Sequence, residues 1–238
     1  MTMNVYDKVI RDSRALLRGS KVRELPFGGG KPWPMLRENE FLLRRDVAYE
    51  LGIRTKPGVC FNAATSNGDL LKRDRILLYG RDLPEIRHDT VFSRISFLHI
   101  DPITDPNQAY RTIKKLEFAR FKILPQGYMI LSSSMENREN VRVSKEAIAR
   151  GLDFTTIGNI IIDHYKKSFP VNRAEVLFIT EELPVIRQLE EEGRKVNDIT
   201  NAFDHILKDI ILDCDLCPLH PICDEVEELR QLHFEASS

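Results

Sequence analysis

The residues best suited to chemistry lie in a ten-residue segment near the C-terminus. Cys214 and Cys217 are separated by two residues, and His220 and Cys223 follow them. Two thiolates at this spacing reach the same metal ion from one turn of chain, and three suit an iron–sulfur cluster or a structural zinc. Both sites take four ligands: His220 would complete a zinc site, and a partner chain or an external thiol would also serve. The alternative is a tight turn with free or oxidised thiols.

The fourth cysteine is set apart from this cluster. Cys60 stands between Val59 and Phe61 in an apolar stretch. A thiol in such a stretch usually packs as a small buried hydrophobe. We therefore predict that Cys60 lies in a strand and that any metal is bound by the clustered cysteines.

A second candidate site is a group of basic residues in the middle of the chain. Arg138, Arg142, Lys145 and Arg150 lie before and inside a short helical segment. Guanidinium and ammonium groups grouped in this way bind anions such as a nucleotide phosphate. The alternative is a basic face that is simply solvated.

Composition limits the class of protein. The chain has 238 residues, of which 42% are hydrophobic and 30% charged, with a net charge of −1. This composition excludes a disordered chain, and the near-zero charge gives no global field to capture nucleic acid. No apolar run approaches about 18 residues, so no membrane span is predicted. The N-terminus lacks a signal-peptide pattern, so we expect a cytoplasmic protein.

Strands dominate the first half of the chain, between two amphipathic helices. The apolar spacing predicts helices over 4–18 and 106–122, and Asp105 is placed to cap the second. Short runs rich in Val, Ile, Phe and Tyr, separated by turn residues, predict strands. These strands are expected at 46–51, 59–64, 75–79, 91–100 and 127–132.

The second half is more helical. The apolar spacing predicts a short turn of helix at 144–150 and a longer helix that begins at 155 or 156. A continuous apolar run predicts a buried strand at 174–179. From Glu181 onward the pattern is helical, and its last apolar face leads into Cys214. Together these elements predict an α/β fold of the α+β type, with a mixed sheet flanked by helices. We expect an N-terminal helix (1–24), an α/β domain (25–200) and a helical cysteine-bearing tail (201–238).

Several segments, taken in order, resemble one family of enzymes. The run Arg142-Val-Ser-Lys145, continued by Ala147–Gly151, resembles a segment of acetyl-CoA synthase, the β subunit of the carbon monoxide dehydrogenase/acetyl-CoA synthase complex. The likeness covers roughly residues 26–223. Its other segments are 46–52, 157–167, the Phe169-Pro170 break, 176–181 and the helix that leads to Cys214-Asp-Leu-Cys217.

The resemblance implies a role for the cysteines. In the family, a matching Cys-x-Leu-Cys segment opens a [4Fe–4S] cluster that is bridged to a two-metal nickel site. Cys214 and Cys217 match two cluster ligands, with Cys217 as the bridge, and Cys223 corresponds to the third after a gap of five residues where the family has eight. The family's fourth cluster cysteine and its nickel-binding Cys-Gly-Cys do not occur in these 238 residues, nor does its N-terminal domain. An iron–sulfur cluster is therefore expected, with zinc as the alternative, and nickel is not expected.

The resemblance also bears on coenzyme A. The family's middle domain is implicated in receiving coenzyme A and in docking a corrinoid protein, and Arg142 and Lys145 match its positions. Met135-Glu136 replaces the family's Gln-Arg, and Leu131 replaces its tryptophan. These replacements argue against coenzyme A binding.

Three hypotheses about function follow. The first is a truncated, stand-alone relative in the anaerobic acetyl-CoA pathway. It would carry a metal centre, act beside a CO dehydrogenase, corrinoid or synthase subunit, and make no acetyl-CoA alone. The alternative is a non-catalytic interaction module whose tail holds a structural zinc or free thiols. A third possibility is that a separate chain supplies the missing ligands and restores the synthase.

Overall fold

The computed structural model describes residues 4–29, 32–36, 41–134, 137–208 and 217–236, and within these ranges the chain forms seven α-helices and eight strands. None of the described helices is both long and apolar enough to cross a membrane. The helices are α1 (Asp7–Leu17), α2 (Pro106–Ala119), α3 (Lys145–Ala149), α4 (Phe154–Ser168), α5 (Ile186–Leu207), α6 (His220–Glu225) and α7 (Glu227–Ala236).

The strands form one mixed sheet and one antiparallel sheet. The large sheet has the order β1-β4-β8-β5-β3, in which β4 and β8 are parallel, as are β5 and β3. The small sheet has the order β2-β7-β6. The strands are β1 (Arg23–Leu25), β2 (Val47–Leu51), β3 (Cys60–Thr65), β4 (Arg75–Tyr79), β5 (Ser93–Ile100), β6 (Tyr128–Ser134), β7 (Arg138–Ser144) and β8 (Val171–Ile179).

Helices cover both faces of the large sheet. On β3, Asn62 donates a hydrogen bond to the hydroxyl of Tyr165 on α4, whereas the neighbouring Phe61 approaches Gly193 on α5. Because successive strand residues point to opposite faces, α4 and α5 lie on opposite sides of the sheet. Helix α1 packs beside α5. The predicted α/β fold, a mixed sheet flanked by helices, is confirmed.

The small sheet contains a strand that the sequence analysis did not predict. Residues 138–142 precede the helical turn predicted at 144–150, and Arg138–Ser144 is β7, the central strand of this sheet. Its alternate residues Glu139, Val141 and Val143 are buried. The charged residue Glu139 on this buried face conceals the alternation that would otherwise predict a strand.

A buried ion pair joins the two sheets. Arg94 of β5 is 3% exposed and Glu139 of β7 is 1% exposed, and the Arg94 Nε donates to Glu139 Oε2 at 3.1 Å. A second guanidinium nitrogen of Arg94 donates to Glu139 Oε1. The backbone N–H of Cys60 also donates to the carbonyl of Asn137, just before β7. The small sheet is therefore fixed to one end of the large sheet.

Candidate functional site

The cysteine segment enters a short helix through a turn. The backbone N–H of His220 donates to the carbonyl of Cys217 at 3.1 Å, and that of Cys223 donates to the carbonyl of Leu219 at 3.1 Å. Pro221 occupies the first turn of α6, where its missing N–H is no loss. The Cys217 and Cys223 thiols are both half-buried. Cys214 lies outside the described residues.

His220 is oriented by a carboxylate on its own helix. Its Nε2 lies 3.4 Å from Asp224 Oδ2, one turn further along α6. Metal-bound histidines commonly use one ring nitrogen for a carboxylate and the other for the metal. Nδ1 is therefore the atom of His220 that would face a metal.

The donor types suit a thiolate-rich metal site. Among the described residues, Cys217, His220 and Cys223 supply two sulfurs and one imidazole from seven residues of chain. Within that part of the chain, no three His, Cys, Asp or Glu side chains converge closely enough to hold an ion. The third thiol of the predicted set, Cys214, is not described. The complete ligand set thus stays a prediction.

Cys60 behaves as the sequence predicts. It lies on β3 in the core, where its Sγ accepts a hydrogen bond from the backbone N–H of Arg94 at 3.2 Å. Burial raises the pKa of the Cys60 thiol far above its ordinary value, although the nearby guanidinium groups oppose the shift. Because the thiolate is the form that binds metals, Cys60 is unsuited to that role.

The structure gives the members of the predicted basic cluster different partners. The Arg142 Nε donates to Glu50 Oε1 at 2.8 Å, across the β2–β7 pair, so Arg142 is engaged by a carboxylate. Arg138 donates to the carbonyl of Lys56. Only Lys145 and Arg150 remain together, on α3 and at its end.

Lys145 and Arg150 share a cleft with a cation that the sequence did not indicate. Arg45 lines the same cleft of about 270 Å³, and its carbonyl accepts a hydrogen bond from the Lys145 Nζ at 3.3 Å. The Arg150 guanidinium lies 5.2 Å from the ring centre of Trp33. Arg45 and Lys145 are 100 positions apart, so no sequence spacing signals their approach. Two acidic residues, Asp46 and Glu146, also line the cleft.

The rim of this cleft is apolar. Phe41 lines the cleft with its side chain 69% exposed, and Leu43 beside it is 52% exposed. The backbone N–H of Leu42 donates to the Met129 sulfur at 3.2 Å, which fixes this segment against β6. Cations and the exposed Phe41 side chain therefore line the same cleft.

Comparison with known proteins identifies the family. A family model described as the beta subunit of the CO dehydrogenase/acetyl-CoA synthase complex matches residues 34–185, more than half of the chain. That match contains both sheets except β1 and ends before the cysteine segment. The resemblance predicted from the sequence is confirmed over this range.

A curated relative extends the similarity. The chain is 23% identical over 220 residues to the carbon monoxide dehydrogenase/acetyl-CoA synthase subunit alpha of Moorella thermoacetica. The alignment covers 89% of this chain and 29% of that protein, so the chain spans less than a third of the relative's length. With the family match, this shows that the chain belongs to the family of the beta subunit of the CO dehydrogenase/acetyl-CoA synthase complex.

Proposed function

We propose that this chain is an accessory member of its family that carries a thiolate-bound metal centre and does not make acetyl-CoA by itself. Cys214, Cys217 and Cys223 would hold an iron–sulfur cluster or zinc, with His220 or an external ligand in the fourth position. The observation that carries the proposal is the folded segment that brings Cys217, His220 and Cys223 onto one turn and helix. Below it, Ile222 and Val226 are buried in the core.

The chemistry of the thiols supports a bound cation. Three ionised thiols this close in sequence would repel one another, and a bound cation removes that repulsion. Cys60 is buried in the core of the α/β domain, whereas Cys217 and Cys223 are only half-buried, so we propose that residues 25–200 fold without the metal. The bound group would be electron-transferring if it is a cluster and structural if it is zinc.

Cobalt binding tests the site. Under anaerobic conditions, we expect Co²⁺ to bind the full chain at about one equivalent and to give the thiolate-to-cobalt charge-transfer absorption of a sulfur-rich site. The change of Cys214, Cys217 and Cys223 to Ser should abolish this absorption and leave the circular dichroism of the fold intact. Cys60→Ala is the matched control and should keep the absorption. Loss of binding in that control alone would overturn the assignment.

The family also supports a role beside partner subunits. Its description is that of a subunit of a complex, so we propose docking to a CO dehydrogenase, a corrinoid protein or a synthase subunit. The exposed Phe41 and Leu43 fit such an interface, because exposed apolar groups rimmed by charge mark interaction sites. If the chain binds none of these subunits and holds only zinc, the interaction-module alternative is favoured.

The cleft beside α3 supports a second candidate function, the binding of a phosphate-bearing ligand. Lys145, Arg45 and Arg150 bring three cations to the cleft, and Trp33 lies under the Arg150 guanidinium. Arg142 would act at most indirectly, since Glu50 engages it. The replacements at residues 131, 135 and 136 argue against the family's own mode of coenzyme A binding. The proposed contact is therefore to the phosphates alone.

Calorimetry with coenzyme A as the probe tests this candidate. We expect Lys145→Gln to weaken coenzyme A binding about threefold to tenfold, the loss of one charged hydrogen bond at an exposed site. Lys115→Gln, the same change on the exposed side of α2, is the control and should have no effect. Pantetheine, which lacks the phosphates, should not bind. Equal binding of pantetheine and coenzyme A would rule out a phosphate site.

A further inference from the structure

We propose that the N-terminal helix α1 is part of the platform that positions the cysteine segment, and that Glu225 is the positioning residue that joins them. The part of this inference that concerns metal rests on the proposed function. The part that concerns docking stands on the packing of the metal-free protein.

Five charged residues on three helices form a chain of alternating sign. The Lys8 Nζ of α1 lies 2.6 Å from Asp12 and 3.1 Å from Glu225 Oε1 of α6. Glu225 also lies 3.7 Å from the Lys195 Nζ of α5, which is 3.0 Å from Glu192. Glu225 is therefore the one member of this chain of five that connects α6 to both α1 and α5.

Apolar contacts and ion pairs constrain the position of α6 in different ways. Ile222, Val226 and Leu229 are buried, which fixes how deeply α6 and α7 sit. Within α6, Ile222 alone is buried, so apolar packing constrains the rotation of this short helix about its axis only weakly. The two ion pairs of Glu225 specify that rotation. Because His220 and Cys223 lie on the same six-residue helix, they turn with it.

The network allows the charge of Glu225 to be removed while each of its two lysine partners keeps another carboxylate. After Glu225→Gln, Lys8 keeps Asp12 and Lys195 keeps Glu192, each within its own helix. The change should therefore leave the core intact and act on the docking of α6. Glu227→Gln is the matched control, because Glu227 pairs with Arg230 on its own helix, α7.

Hydrogen exchange of the metal-free full chain tests the docking. We expect Glu225→Gln and Lys8→Gln each to speed amide exchange in 217–236 about two- to fivefold, the range for partly exposed ion pairs. In the double variant, exchange should speed up by less than the two single effects combined. Both single changes break the same contact between Lys8 and Glu225. If exchange in Glu225→Gln matches that of Glu227→Gln, the docking role is wrong.

Cobalt titration tests the coupling. If the docked tail is the state that binds Co²⁺, linkage requires that Co²⁺ bound at the cysteines slow exchange in α1, and that Glu225→Gln reduce this slowing. A merely structural Glu225 would not transmit cobalt binding to α1. Normal cobalt binding with no change in α1 would overturn the coupling. If the wild-type chain binds no Co²⁺, the proposed metal site fails, and the metal-free exchange still decides the docking.

Discussion

Glu139→Gln should lower the stability of the protein by about 3–5 kcal/mol, the cost of breaking a buried ion pair by removing one partner. The neutral amide leaves the Arg94 guanidinium charged and buried at the junction of the two sheets. Although burial acts to lower the pKa of Arg94, the Glu139 carboxylate raises it above its ordinary value, so Arg94 keeps its proton. For a chain of this size, we expect the melting temperature to fall by roughly 6–20 °C.

Two variants serve as controls for this loss. Glu146→Gln makes the same change at an 82% exposed side chain and should alter stability by no more than about 0.5 kcal/mol. Replacement of both partners, Arg94→Met with Glu139→Leu, should recover much of the loss, because no buried charge remains. If Glu139→Gln melts at the same temperature as Glu146→Gln, the buried pair does not join the sheets as described.

The purified 238-residue chain is expected to catalyse no exchange between CO and acetyl-CoA, even with added nickel and reductant. The synthase reaction of the family, as the resemblance implies, needs nickel held by a Cys-Gly-Cys segment. These residues contain three clustered cysteines and the buried Cys60, so no thiols are left for a second metal site. A full-length synthase assayed alongside is the positive control. Clear turnover by the pure chain would contradict the proposal.

Local signals predicted most of the fold. The run 75–79 became β4 with the predicted bounds, because the four residues after Arg75 are hydrophobic and turns bound the run. Asp105 caps α2 as expected, accepting hydrogen bonds from the N–H groups of Asn107 and Gln108. Where the apolar spacing and the capping or turn residues indicate the same element, the sequence alone predicts that element.

The parts that sequence could not predict depend on distant partners. β7 was missed because its buried face includes Glu139, whose charge is compensated by Arg94, 45 positions earlier. The cation Arg45 and the positioning residue Glu225 were missed for the same reason, since each acts through a residue at least 100 positions away. The cysteine cluster is visible in the sequence because its residues are neighbours, and the metal site that its spacing indicates stays a prediction.

Metal and sulfide analysis of the full chain, purified anaerobically, tests the central claim most directly. We expect iron with acid-labile sulfide, or zinc, at about one site per chain. The same preparation of the Cys214→Ser, Cys217→Ser, Cys223→Ser variant should be empty, and Cys60→Ala should match the wild type. Anaerobic wild-type protein that contains neither iron nor zinc would contradict the account, as would a serine variant that keeps its metal.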